Sequence, residues 1–184
     1  GGIQIQNAGT IAGNICNASP AADGVPPLLA LDAKVELCSQ DTGTCVLPLN
    51  EFITGVRQTV LKPDELVSAV LIPPSPISMG SAFEKLGSRR YLVISITMTA
   101  ANVLLGQDGR IKDVRIAVGS CSAVSQRLYA LEKDLKGKTP QDVVVRAEHL
   151  APLSPIDDVR GSGTYRLAVV QEQIQRAVMG ASRR

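Results

Sequence analysis

Apolar and polar residues alternate along one stretch of the first half of this chain, AKVELCSQDTGTCVLPL. Val35, Leu37 and Leu47 occupy apolar positions of the alternation, and Asp41 and Gly43 lie between its two halves. Alternation with a period of two is typical of half-buried strands, and aspartate followed by glycine is typical of tight turns. This stretch therefore predicts a strand, a turn and a second strand.

Further strands are indicated on both sides of a proline-rich stretch, PPSPISMG, at residues 73–80. The segment PDELVSAVLIPP before it combines a turn with an apolar strand that the prolines end. After it, the β-branched run VISITMT favours a strand, and GQDGR is typical of a hairpin turn. We predict three antiparallel strands here, at about 80–87, 91–105 and 110–119.

The remainder of the chain carries apolar residues at helical spacing. Three segments show it: SAVSQRLYALEKDLKGK, TPQDVVVRAEHL and GTYRLAVVQEQIQRAVMG. Thr139 and Pro140 suit a helix start, while Gly137 and Gly180 suit helix ends. The patterns predict an α+β fold with two domains. A small mixed domain covers residues 1–74, and residues 80–184 form a three-stranded antiparallel sheet packed with C-terminal helices.

Composition and charge exclude several classes of function. The net charge is +2, and only 3% of the residues are aromatic, so neither an electrostatic nor a base-stacking nucleic-acid surface is expected. No apolar run is long enough to insert into a membrane. The four cysteines form no Cys-x-x-Cys pair and fit reduced thiols in the cytoplasm, although Cys38 and Cys45 flank a turn and a disulfide between them stays open.

Candidate ligand-binding residues lie near the start of the chain, in GTIAGN and in ASPAADGV. Gly9 and Gly13 allow the backbone to approach an anion, and the Thr10 hydroxyl is a further donor; a plain tight turn is the alternative. Asp23 and Asn14 suit either helix caps or acceptors for a ligand's hydroxyl groups.

Residues elsewhere in the chain offer little catalytic chemistry. Phe83 and Lys85 lie at alternate positions of a predicted strand, so the Lys85 side chain faces either solvent or a ligand cleft. His149, the single histidine, has no second ligand nearby and is expected to be an ordinary surface or half-buried side chain. No serine lies in a nucleophile elbow, so we predict no catalytic residue and no metal site in this chain.

Taken in order, these segments resemble a known family. QIQNAGTIAGNICNASPAADGVPPLLALDAKVEL resembles the second flavin-contacting segment in the FAD subunit of molybdenum hydroxylases, such as xanthine dehydrogenases and the medium subunit of aerobic carbon monoxide dehydrogenase. The resemblance continues through ITGVRQTVLKPDELVSAVLIP, SAFEKLGSRRYLVISIT, GRIKDVRIAVGS and LSPIDDVRGSGTYR, and so covers nearly the whole chain. Ala12 departs from the family pattern, in which glycine is usual.

The resemblance implies a subunit that holds FAD and passes electrons from iron–sulfur clusters to an acceptor such as NAD. The iron–sulfur and molybdopterin centres would belong to partner subunits. The diphosphate of FAD would contact Thr10, Ile11, Ala12, Gly13 and Asn14. Asp23 would lie near the sugar-like chain of the flavin, the backbone of Val67 near its ring system, and Lys85 near the ring, although some members carry that lysine at the position of Glu84.

Members of the family begin with a further subdomain that carries another glycine-rich diphosphate loop. This chain starts at Gly1 rather than at Met and lacks that subdomain, so we expect it to be part of a longer polypeptide. Alone, it would supply half of the FAD cradle and would be inactive. The alternatives are a flavin-free fragment that acts only in subunit assembly and a generic phosphate-binding module.

Overall fold

The computed structural model describes residues 2–183 and confirms the α+β class. The helices are α1 (Ile3–Ala8), α2 (Ile11–Asn17), α3 (Val25–Ala30), α4 (Leu49–Phe52), α5 (Tyr129–Leu135) and α6 (Gly163–Ala181). The strands are β1 (Lys34–Ser39), β2 (Gly43–Pro48), β3 (Ile53–Gly55), β4 (Gln58–Thr59), β5 (Glu65–Leu71), β6 (Gly80–Leu86), β7 (Thr97–Leu105), β8 (Ile111–Gly119) and β9 (Gln126–Arg127). Within residues 2–183, no helix combines the length and apolar character that crossing a membrane requires.

A three-stranded antiparallel sheet in the order β2-β1-β5 forms the centre of the first part of the chain. Its β1–β2 hairpin was predicted from the alternating pattern, and Val35 and Leu37 point into the core with Ile15 of α2. The register pairs Leu37 with Cys45 and Cys38 with Thr44. Because neighbouring residues of a strand point to opposite faces, Cys38 and Cys45 lie on opposite faces and both are free thiols.

The second sheet has the strand order β6-β7-β8-β9, so the prediction of three strands was incomplete. Strand β9 has two residues, and the N–H of Leu128, which follows it, also donates to the carbonyl of Ile116 of β8 at 3.0 Å. The predicted strand from residue 91 begins only at Thr97. The guanidinium of Arg89 donates to the carbonyls of Tyr91 and Leu92, which removes these acceptors from a β ladder.

Helix α6 matches the last predicted helix, and the hydroxyl of Ser162 caps it by accepting from the N–H of Tyr165 at 3.2 Å. The other two helix predictions were largely wrong. Only α5 forms in the first segment, and the second contains two short 3₁₀ turns, Pro140–Asp142 and Ala147–Leu150. Three consecutive valines follow the first turn, and β-branched side chains disfavour a helix.

The second sheet is covered on both faces. Helix α6 packs on one face, where Ala101 and Val103 of β7 belong to its core. Helix α3, from the first part of the chain, packs on the opposite face, where Ala100 and Ala117 join the core around Ile15. The first part therefore lies against the face of the sheet that α6 leaves free.

Candidate functional site

The first turn of α2 presents backbone donors to solvent. GTIAGN is not an isolated tight turn: Thr10 is the N-cap, and its hydroxyl accepts from the N–H of Gly13 at 2.9 Å. The N–H groups of Ile11 and Ala12 precede the first intrahelical bonds and have no acceptor among residues 2–183. A Cβ atom at Gly13 would lie 3.0 Å from the Thr10 hydroxyl, so a side chain there would crowd this turn.

Asn14 connects α2 to the start of α3. Its side-chain oxygen accepts from the N–H of Gly24 at 3.2 Å, and Gly24 is the N-cap residue of α3. A Cβ atom at Gly24 would approach that oxygen to 2.7 Å. Asn14 therefore links α2 to α3 through this hydrogen bond. The bond holds Asp23, which precedes Gly24, beside the first turn of α2.

Asp23 binds two residues of the second part of the chain. Its Oδ2 accepts from the Lys85 ammonium at 2.5 Å, and its Oδ1 accepts from the Ser95 hydroxyl at 2.6 Å. The neighbouring Glu84 lies on the other face of β6, where it lines a groove with Arg176 of α6. Of the two positions at which the family carries a lysine, residue 85 is thus the one that faces Asp23.

Two open clefts join these groups into one surface. One cleft, of about 630 Å³, is lined by Gly9, Thr10, Ile11 and Gly13 of the α2 region. The other, of about 550 Å³, is lined by residues that include Asp23, Lys85 and Arg90. Asn14 and Ile5 line both clefts, so the two clefts meet along one continuous surface.

Val67 lies apart from this surface. It is half-buried on β5, opposite Leu37 of β1, and its side chain packs against the core around Ile15. It lines neither of the two clefts described above. A contact between the Val67 backbone and a flavin stays a prediction.

A third cavity, of about 510 Å³, adjoins the Lys85 cleft, with which it shares Ala21 and Ile94. It is lined by small and apolar residues together with Ser95, Asp158, Arg160 and Arg166. Arg166 is buried and donates to the Ser120 carbonyl at 3.0 Å and to Asp158 at 2.7 Å. The Arg160 N–H and the Arg166 guanidinium both donate to Asp158, and they hold its pKa below the ordinary value against the opposing effect of burial.

Neither Ser95 nor this third cavity was found from the sequence, because a lone serine before an apolar strand carries no motif. His149 was expected at the surface or half-buried, but it is fully buried, and its Nδ1 accepts from the N–H of Arg146 at 3.1 Å. Across the described part of the chain, no three His, Cys, Asp or Glu side chains cluster as metal ligands would.

Comparison with known proteins identifies the family. Residues 1–75 match the family described as the FAD binding domain in molybdopterin dehydrogenase, and residues 81–181 match the CO dehydrogenase flavoprotein C-terminal domain. The fold and both matches define a FAD-binding flavoprotein. More particularly, the chain belongs to the family of FAD-binding subunits of molybdenum hydroxylases, which confirms the resemblance seen in the sequence.

Individual relatives agree with this assignment. The nicotine 6-hydroxylase medium subunit of Paenarthrobacter nicotinovorans is 34% identical, and the match covers 98% of this chain and 63% of the relative. The xanthine dehydrogenase FAD-binding subunit of Escherichia coli O157:H7 is 31% identical, with 98% and 62% covered. The structure of reconstituted CO dehydrogenase from Oligotropha carboxidovorans matches with a TM-score of 0.88 and 26% identity, over 98% of this chain and 63% of that one. The chain thus spans less than two thirds of the length of these relatives.

Proposed function

We propose that this chain forms the flavin-contacting surface of a molybdenum hydroxylase that passes electrons from iron–sulfur clusters through FAD to an acceptor such as NAD. Bound FAD would supply the redox chemistry. The observation that carries the proposal is the meeting of two clefts at Asn14, one with backbone donors and one with the Asp23–Lys85 pair.

The groups on this surface fit the parts of FAD. A diphosphate needs several converging donors, and the free N–H groups of Ile11 and Ala12 lie at the positive end of α2, beside the exposed Gly13. A polyhydroxyl chain needs acceptors, and the Asp23 carboxylate is a strong one. Lys85 would place a positive charge beside the flavin ring, and the Val67 backbone would border the ring from β5.

The third cavity supports the proposal of an anionic acceptor. It opens beside the Lys85 cleft, and two arginines and one aspartate line it together with several serine residues. This set provides a net positive charge and several hydroxyl donors, which suits the diphosphate of a nicotinamide dinucleotide. We therefore propose that NAD, or an acceptor of similar chemistry, enters here.

The partners belong to the same proposal. Relatives are named as a medium chain, a medium subunit and a beta subunit, so they are parts of larger assemblies. We propose that an iron–sulfur subunit and a molybdopterin subunit bind this chain and that they carry the other redox centres. The four free cysteines agree with a cytoplasmic location.

The test is a Gly13→Val substitution in the complete polypeptide that carries this chain. The branched side chain would press on the Thr10 hydroxyl and shield the first turn of α2, so we expect a large loss of bound FAD per chain. Lys133→Val is the matched control, because it places valine at an exposed site of α5, which like α2 has seven residues. It should retain the flavin.

A Gly13→Val protein that keeps its fold and its full flavin content would show that the first turn of α2 does not hold FAD. A wild-type protein that binds its partner subunits but no flavin would instead support the assembly-only alternative.

A further inference from the structure

Ser95 lies between the Lys85 cleft and the third cavity, and only 2% of its surface is exposed. Its hydroxyl donates to Oδ1 of Asp23 at 2.6 Å, across 72 positions of sequence. Asp23 is on the first part of the chain and Ser95 on the second, so this bond forms only where the two parts meet. Ser95 itself does not line the cleft that contains Asp23 and Lys85.

The backbone around Ser95 is firmly held. The N–H of the next residue, Ile96, donates to the carbonyl of Leu86 at 2.8 Å, which joins the segment to the end of β6. The carbonyl of Ile96 accepts from the buried guanidinium of Arg166 on α6, and Asp158 binds that guanidinium in turn. The Ser95 hydroxyl is therefore presented to Asp23 by the sheet and by the longest helix of the described structure.

The Asp23 carboxylate, by contrast, needs help to keep one orientation. Its side chain is 47% exposed, and the residue stands just before α3 in a short connection from α2. Lys85 holds Oδ2, but a lysine has a long flexible stem and fixes direction poorly. Ser95 is short and buried, so the Oδ1 contact sets the plane of the carboxylate.

We propose that Ser95 is a positioning residue for the flavin: it orients the Asp23 carboxylate so that the outward lone pairs accept from the hydroxyl groups of the FAD chain. This inference rests on the proposed function, since it takes Asp23 as a flavin contact. A carboxylate oriented before binding loses less conformational freedom when the ligand arrives, and this strengthens binding without a direct contact.

The test is a double-mutant cycle on FAD affinity in the complete polypeptide, measured by titrating flavin-free protein with FAD and following flavin fluorescence. Asp23→Ala and Ser95→Ala are compared singly and together. We expect Ser95→Ala to weaken binding by about 5–20-fold, because an oriented charge-assisted acceptor is lost, and to have no further effect once Asp23 is alanine. Ser95→Thr, which keeps the hydroxyl, should bind FAD much as the wild type does.

The outcomes separate this inference from the proposed function. If Asp23→Ala weakens FAD binding and Ser95→Ala does not, the role of Ser95 is overturned while the flavin site stands. An equal loss from Ser95→Ala in the presence and absence of the Asp23 carboxylate would show a general structural effect, which also overturns it. A wild-type protein without affinity for FAD would overturn the proposed function itself.

Discussion

Cys121 and Cys45 are two thiols with opposite surroundings. Cys121 is fully buried in the core beneath α6, and burial raises the pKa of its thiol to about 12, although the positive charge of Arg166 acts in the other direction. Cys45 is exposed on β2. Since the thiolate is the reactive form, the first residue should be inert in the folded protein and the second should react.

We expect a thiol reagent at pH 8 to label Cys45 quickly and Cys121 only after unfolding. The measurement is the rate of modification at each cysteine, with and without denaturant, by mass spectrometry of peptides. A Cys45→Ser variant serves as the control and should lose the fast phase. Labelling of Cys121 at the rate of Cys45 in the folded protein would contradict the buried environment.

At the residue scale, the sequence could propose candidates but could not bring them together. The alternation with Phe83 placed Lys85 on a strand, yet it left open whether its side chain faces solvent or a ligand. That choice depends on the packing of α6 against one face of the sheet and on a contact with Asp23, 62 positions away. Local patterns carry no information about either.

Helix α3 is short and depends on side chains from the second part of the chain. It has six residues, two of them prolines. At its end, the Leu29 carbonyl accepts from Arg127 and the Ala30 carbonyl accepts from Asn102, both at 2.8 Å. Asp23 immediately precedes the cap of the same helix, so the contacts at its far end also support the proposed flavin surface.

Arg127, which binds the end of α3, is itself held by two carboxylates. It forms a two-pronged ion pair with Glu132, at 2.6 and 2.8 Å, and reaches Asp32 at 2.6 Å. Burial alone would lower the pKa of the guanidinium, but the bonds to Glu132 and Asp32 outweigh burial and raise it. The group therefore stays charged, and its removal would leave the buried Glu132 carboxylate without a counter-charge, with only the N–H of Ile116 as a donor at 2.7 Å.

We expect Arg127→Met to lower the free energy of unfolding by about 3–5 kcal/mol, because breaking a buried ion pair leaves one buried charge without its counter-charge. Urea denaturation followed by circular dichroism measures this change. Replacing both partners, with Arg127→Met and Glu132→Leu together, should recover part of the loss, because the lone buried charge is removed while the N–H of Ile116 loses its acceptor. A single variant as stable as the wild type would mean that the pair adds nothing to the junction.

At the element scale, the predictions succeeded where one pattern dominated. The stripe of α6 is long and has a serine cap, and the β1–β2 hairpin has a clear alternation and a clear turn. The helix predictions largely failed over residues 122–150, because leucines at helical spacing can also be buried in strands and turns. Leu128 is fully buried, but it directly follows β9 and its N–H donates to Ile116 of β8, so it does not extend α5.

At the scale of the whole molecule, two parts meet across the face of the second sheet opposite α6. The family resemblance indicated FAD, and the family match over residues 1–75 agrees with it. The division into domains at residues 1–74 and 80–184 stays a prediction. The strands predicted over residues 80–119 placed the second sheet correctly in outline. Neither periodicity nor the motif showed that α3 would cover that sheet, because this packing depends on the shape of the assembled core.

We propose that the surface joining α2, Asp23 and Lys85 holds FAD. The most direct measurement is the flavin content per chain of the complete polypeptide, determined from its visible absorbance after purification and again after incubation with FAD and removal of the excess. We expect stoichiometric FAD that is retained through purification or restored by incubation. Folded protein that remains colourless after both treatments would contradict it.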